Sequence, residues 1–238
     1  MRISNRKFAI TGAARGLGAA LAIEMARAGA RPVLLARTEA ALDTTARTIR
    51  DLTGQNADLI ACDLADRESA TRAGEALAHG HPDLDGIVHN GAMWLPGAME
   101  AATDTDIAAC IASAAIGALI LTRHVLPILK ARPGADIHTV VSTSGVPNRP
   151  LNVASVPFTA AKHAQAGFVT GLADELSATG IRVTAVYPGD FEEVAPSSPD
   201  WATPEPPDHT LSTREVVGAI LFILNQPHQV AIRSLVIE

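Results

Sequence analysis

Tyrosine is almost missing from this chain: Tyr187 is the single copy in 238 residues, within an aromatic content of 3%. A core so poor in rings has to rest on Ala, Val, Leu and Ile, and any reaction that needs a phenol has one place to find it. Cysteine is nearly as scarce. Cys62 and Cys110 stand far apart, which excludes a disulfide framework, offers no metal-ligand spacing and suits a reducing, cytoplasmic setting. Charge is sparse too, at 18% of residues with a formal net charge of −6 and no run of Lys or Arg. That balance argues against nucleic acid or an anionic membrane as a general partner. The N-terminal residues lack the long apolar stretch of a leader, and no run of about 18 apolar residues reads as a membrane span.

What is abundant is aliphatic: 47% of residues are hydrophobic, enough for one buried α/β core across residues 1–238. Short β-rich runs at 8–11, 32–36, 58–62, 86–89, 137–142, 182–187 and 235–237 alternate with helical patterns at 17–28, 39–52, 67–78, 104–129, 158–177 and 213–224. Such alternation predicts βαβ units, and right-handed crossovers then give a Rossmann-type doubly wound parallel sheet of about seven strands with helices on both faces. Residues 189–211 break the pattern. Pro196, Pro199, Pro204, Pro206 and Pro207 exclude regular structure through them. Their place after the sixth strand, where open sheets bind ligands, suggests a substrate lid.

After the first strand come Gly12, Ala13, Ala14, Arg15, Gly16, Leu17 and Gly18. Glycines at this spacing allow a tight turn and close backbone approach to a pyrophosphate, with a helix N-terminus facing it. The end of the second strand carries Arg37 and Thr38 where an acid would mark a free ribose 2′-hydroxyl. Arg37 offers a cationic donor fork and Arg15 could reach the same group, which predicts a 2′-phosphate and therefore NADP(H).

Thr11-Gly12-x-x-x-Gly16-x-Gly18 resembles the short-chain dehydrogenase/reductase family, and further marks follow in family order over nearly the whole chain. Asp63-Leu64 resembles the Asp-Leu after strand three, whose Asp contacts the adenine. His89-Asn90-Gly91-Ala92 resembles Asn-Asn-Ala-Gly after strand four with its last two small residues exchanged, and Pro188-Gly189 matches the turn after strand six. The resemblance implies a serine holding the substrate oxygen, a tyrosine passing a proton, a lysine on the nicotinamide ribose and an asparagine holding a relay water. Ser142 and Lys162 fall at the first and third of these positions. Phe158 falls where the tyrosine belongs and Ala114 where the asparagine belongs, while the threonine often found four residues after the glycine of Pro188-Gly189 falls at Glu193.

Positions 158 and 162 are one helical turn apart and share a face, so Lys162 can still reach a ribose hydroxyl. A phenyl ring cannot pass a proton, and positioned acid–base help is worth roughly 10²–10⁴-fold. Three functions remain open. The first is an NADPH-dependent reductase of a small molecule whose activated C=C or C=N bond needs no phenol. The second is a non-redox enzyme of cyclase, isomerase or lyase type, with the nucleotide as a structural element and Asp190, Glu192 or Glu193 as acid–base groups. The third is a non-catalytic nucleotide-binding or scaffold subunit. Of the histidines, His89 is the best replacement acid, ahead of His124, His138 and His163. The family commonly dimerises through the helices at 104–129 and 158–177, which are rich in small residues here, so a homodimer or homotetramer is expected.

Overall fold

The computed structural model describes residues 1–151, 153–203 and 210–238. Its seven strands are β1 Lys7–Thr11, β2 Arg31–Ala36, β3 Asp58–Ala61, β4 Leu84–His89, β5 Asp136–Val140, β6 Arg182–Pro188 and β7 Ser234–Ile237. They form one sheet in the order β3-β2-β1-β4-β5-β6-β7, parallel at every pairing. The chain reverses its direction of travel across the sheet between β1 and β4, and a crevice opens there at the carboxyl ends.

The helices are α1 Gly16–Arg27, α2 Asp43–Thr53, α3 Arg67–Gly80, α4 Asp104–Ile111, α5 Gly117–Lys130, α6 Val156–Glu175 and α7 Thr213–Asn225. Strand alternation divides the core between two faces. Phe8 and Ile10 of β1 pack with α1 and α7 through Leu21, Met25, Ile220 and Leu224. Ala9, between them in sequence, joins Ile87, Leu121, Leu129 and Ile137 on the face covered by α3, α5 and α6. Both faces are covered, which is why the central strands read as continuous apolar runs.

Local signals start the helices that frame the site. Ser155 caps α6 by accepting the Phe158 N–H at 3.2 Å, with Pro157 in the first turn. Ser212 and Glu215 form a reciprocal capping box at α7.

The single helix expected at 104–129 is two helices joined by a π-helical turn, Ala112–Ile116. The apolar residues around this stretch give no break in periodicity that would reveal the extra backbone width. The whole run Asp104–Lys130 is also long and apolar enough, by length and composition, to cross a membrane, contrary to the sequence reading. Here it is a core helix, with Leu121, Val125 and Leu129 fully buried. Within residues 189–211, Pro199–Ala202 forms a short 3₁₀ turn and Glu192 bridges Ser212. Pro204, Pro206 and Pro207 lie outside the described residues.

Candidate active site

The glycine loop joins β1 to α1 at the switch in strand order. Gly12 has φ +66°, and a Cβ there would stand 2.9 Å from Gly91 Cα. A Cβ on Gly18 would collide with the Gly12 carbonyl oxygen, so the loop can fold back only without side chains at these points. Two threonines that the sequence reading passed over hold this arrangement. Thr11 Oγ1 accepts the N–H groups of Asn90 and Gly91, both at 3.0 Å, and so stitches β1 to the turn after β4. Thr45 of α2 donates to the Ala13 carbonyl at 3.0 Å and buttresses the loop from behind. Thr11 sat inside the motif and could have been singled out; nothing local marks Thr45.

Helix α1 starts at Gly16 with Arg15 as its N-cap and no side chain capping it. Its first N–H groups and partial positive charge therefore face the crevice. An anion already tests that end, because the Glu193 carboxylate lies against Gly16, with Oε1 2.7 Å from where a Gly16 Cβ would be. Arg15 and Arg37 are exposed and form no ion pair among the described residues. Thr38 Oγ1 accepts the Ala41 N–H at 3.3 Å. Asp63 caps its own turn, accepting the Ala65 N–H at 3.0 Å, with Leu64 beneath the Gly91 turn. Asn90 donates to the Thr11 carbonyl at 3.3 Å. Ala92 packs beside Phe158, and Pro188 ends β6 with Gly189 on the cavity wall. A cradle with glycine clearance, an uncapped helix terminus and two unpaired guanidinium groups fits a phosphorylated dinucleotide.

Beyond it lies a cavity of about 340 Å³, lined by Ser142, Thr143, Ser144, Asp190 and Trp94 among others. Ser142 follows β5, and its Oγ accepts the Ser144 N–H at 3.1 Å, which leaves its own hydrogen free to donate. Phe158 and Lys162 sit together on the buried face of α6. The Lys162 Nζ is 5.4 Å from the Phe158 ring centroid, and Trp94 packs edge-on against the same ring at 4.5 Å. Ala114 is buried beside Phe158, Ala161 and Cys110 in a small apolar cluster. Its neighbour Ser113 is the polar one, accepting the Met93 N–H at 2.9 Å.

Lys162 is only 5% exposed and donates to Gln165 Oε1 at 2.9 Å and the Val140 carbonyl at 3.5 Å. Burial holds its pKa down to about 8. Gln165 was not picked out from sequence, although a glutamine three residues after a buried lysine is within helical reach of it. Because the folded pKa lies below the unfolded value of 10.5, the unfolded chain binds more protons between those limits. The Lys162 contribution to stability therefore rises with pH through that window. Urea denaturation of wild type and Lys162→Met at pH 7 and pH 9.5 tests this. The wild type should gain on the variant by about 2 kcal/mol at the higher pH; an unchanged difference would show a solvated amine.

The other candidates separate cleanly. Of the three loop acids, Asp190 lines the cavity; Glu193 lies at the glycine loop, and Glu192 is exposed, with its carbonyl accepting the Thr213 N–H at 2.9 Å. His89 is buried against Thr122 Oγ1 at 2.9 Å, and burial pushes its pKa down to about 4, so it is neutral at pH 7 and does not reach the cavity. His138 is likewise buried, at about 3, and bonds Thr184. His163 is exposed on its helix. Cys62 and Cys110 are buried free thiols, with Cys62 pushed up to about 12 by burial. Among the described residues, no group of His, Cys, Asp and Glu could hold a metal.

A parallel doubly wound sheet with a glycine cradle at its switch point defines a dinucleotide-binding fold. Residues 6–199 match the family model described as short chain dehydrogenase, and the chain belongs to that family. An uncharacterised oxidoreductase of Staphylococcus saprophyticus is 25% identical over all of this chain and 99% of its own length. A 3-oxoacyl-[acyl-carrier-protein] reductase of Aggregatibacter actinomycetemcomitans is 30% identical over 76% of this chain and 74% of its own. Among solved structures, a metagenomic short-chain oxidoreductase in complex with NADP superposes with a TM-score of 0.82 at 25% identity, covering 100% of this chain and 98% of that one.

Proposed function

We propose that this chain is an NADP(H)-dependent reductase that works without a phenolic proton donor and reduces an activated C=C or C=N bond of a small molecule. The observation that carries this reading is the pairing of Lys162 and Phe158. A buried ammonium and the cavity hydroxyl of Ser142 are kept, while a phenyl ring backed by Trp94 stands 5.4 Å from that ammonium. Ala114 adds no polar atom where the family's relay asparagine would stand.

When bound, NADPH supplies hydride. The residues that would hold it are Gly12, Ala14, Gly16, Leu17 and Gly18 at the phosphates, and Arg15, Arg37 and Thr38 at the 2′-phosphate. Asp63 and Leu64 fall at the adenine, Asn90, Gly91 and Ala92 along the crevice floor, and Lys162, Pro188 and Gly189 at the nicotinamide end. A pyrophosphate at α1 would displace the exposed Glu193 side chain. Ser142 points its free hydrogen at a substrate heteroatom and polarises the bond under attack. Asp190 and Glu238 are the acids on the cavity wall; Glu238 is paired with Arg149, which leaves Asp190 as the one to exchange a proton with water. An iminium or conjugated acceptor suits such a site, because less of its product charge has to be met by an acid in the same step.

The Asp190–Ser142 wall also supports a second reading, a non-redox isomerase, cyclase or lyase type reaction with the nucleotide as structure. NADPH stereospecifically deuterated at C4 separates the two. Deuterium in product supports reduction, product without deuterium or NADPH consumption supports the second, and tight binding with no turnover of any substrate leaves a scaffold.

Residues 189–211 are read as the lid over this cavity. Exposed Ile116 and Leu119, together with α6, are read as the two-fold contact of a homodimer or homotetramer, and the compartment as cytoplasmic. Light scattering at micromolar concentration tests the assembly, and a monomer would count against it. Cofactor choice has its own test. Arg37→Asp should weaken NADPH binding by about 10²-fold or more, exchanging an attractive contact for a repulsive one, while NADH binding changes little; equal losses would refute the assignment.

A further inference from the structure

A second cavity adjoins the first. It is a groove of about 550 Å³ whose lining includes Pro96, Met99, Leu151, Val153, Ala154 and Val156, with no charged or hydrogen-bonding side chain among the described residues. Leu151, Val153 and Ala154 line both cavities, so the polar space at Ser142 and the apolar groove lie side by side on shared residues. Four of the groove's large side chains are close to half exposed or more: Met99 49%, Leu151 45%, Val153 62% and Val156 47%. Apolar side chains scattered singly over a surface need no explanation, but four gathered in one concave strip do.

The groove is also built rather than draped. Pro96 pairs with Ala154 as a β-bridge, the Ser155 N–H donates to the Leu95 carbonyl at 3.2 Å, and the Gly97 N–H donates to the Val153 carbonyl at 3.4 Å. Backbone clips hold the strap after β4 against the segment leading into α6, fixing the walls before anything binds.

Resting on the reductase reading above, we infer that the substrate is amphipathic, with a small polar unsaturated head beside Ser142 and an apolar tail along the groove between Met99 and Val156. The shared residues decide for a tail of the same molecule. A protein surface or second copy seated on this strip would also cover Leu151 and Val153, which belong to the lining of the reaction cavity. The division of chemistry matches as well, with hydroxyls, Asp190 and Glu238 at one end and, among the described residues, apolar side chains at the other.

Binding of a series of straight-chain methyl ketones to the NADP⁺ complex, measured by titration calorimetry, tests the tail without requiring turnover. Affinity should rise about four-fold for each added methylene until the groove is filled. Met99→Asp, on a half-exposed side chain that lines the groove and not the Ser142 cavity, should abolish that rise while leaving the shortest ketone unchanged, and Val156→Asp should do the same from the other end of the groove. A flat series overturns the inference, as does a rise that survives both substitutions. Equally contrary would be a wild-type oligomer that Val156→Asp converts to monomers with no chain-length dependence, which would assign the strip to a second copy. The matching conjugated enones with deuterated NADPH keep the two claims apart. Deuterium transfer with a flat binding series removes the tail and keeps the reductase, whereas a rising series with no transfer does the reverse.

Discussion

Phe158→Tyr should raise kcat/KM for the reduction of simple ketones by about 10²-fold or more over the wild type. The magnitude is the lower end of what a positioned acid contributes. The parts a phenol needs are already close. Lys162 Nζ lies 5.4 Å from the centre of the ring that would carry the hydroxyl, and Ser142 lines the cavity. Lys162 is charged below its pKa of about 8, so at pH 7 its ammonium would favour the phenolate and bring the phenol pKa down towards the working range. The gain should fade as pH rises past 8 and that charge is lost. Trp94 is the one obstacle, since it packs on the same ring at 4.5 Å. Trp94→Ala combined with Phe158→Tyr clears the approach if the single variant is obstructed. Initial rates of NADPH oxidation with small ketones give the answer. If both variants bind NADPH and stay at background, the absence of a phenol is not what limits this site, and the proposed reaction loses its main support.

How much of this could be read from the chain alone depended on the distance over which each feature is encoded. The glycine loop was legible because its parts are consecutive: an apolar run, Gly12, Gly16, Gly18, then a helix. The shared face of Phe158 and Lys162 was legible because helical spacing places them one turn apart. The contact of Trp94 on Phe158 was not, since 64 positions separate them in the numbering and only the clip between residues 95–97 and 153–155 brings them together. Asp190, Glu192 and Glu193 could not be told apart because a loop has no periodicity to say which way each side chain points. The π turn at Ala112–Ile116 was hidden for a related reason, as apolar residues all round a helix leave no face to drift. His89 looked available because it ends a strand near the crevice, yet its ring turns under α5 to Thr122.

Charge shows the same limit most plainly, at the end of the sheet away from the cradle. Asp136 opens β5 with no solvent exposure and receives Arg182 Nε at 2.8 Å, Arg2 at 2.7 Å and Arg6 at 2.9 Å. Two of these arginines come from the N-terminus and the third opens β6, so no local pattern announces the cluster. Asp136→Ala should cost about 3–5 kcal/mol, because it strands the Arg182 guanidinium in a site where it is 4% exposed. The intact pair need not stabilise the fold by that much; the loss comes from an uncompensated buried charge. Arg182 cannot simply swing into water, since it also donates to the carbonyls of Leu224, Gln226 and Val230 at 2.9, 3.1 and 3.0 Å. For a domain of this size the loss corresponds to a melting temperature lower by about 6–20 °C. Urea denaturation measures it directly, and a loss under about 1 kcal/mol would mean that water already reaches these charges. The NADPH affinity of the folded variant should stay near wild type. Asp136, Arg182 and Arg6 lie at the amino ends of their strands, whereas the cradle and cavity occupy the carboxyl ends, so this staple and the site share a sheet but no side chain.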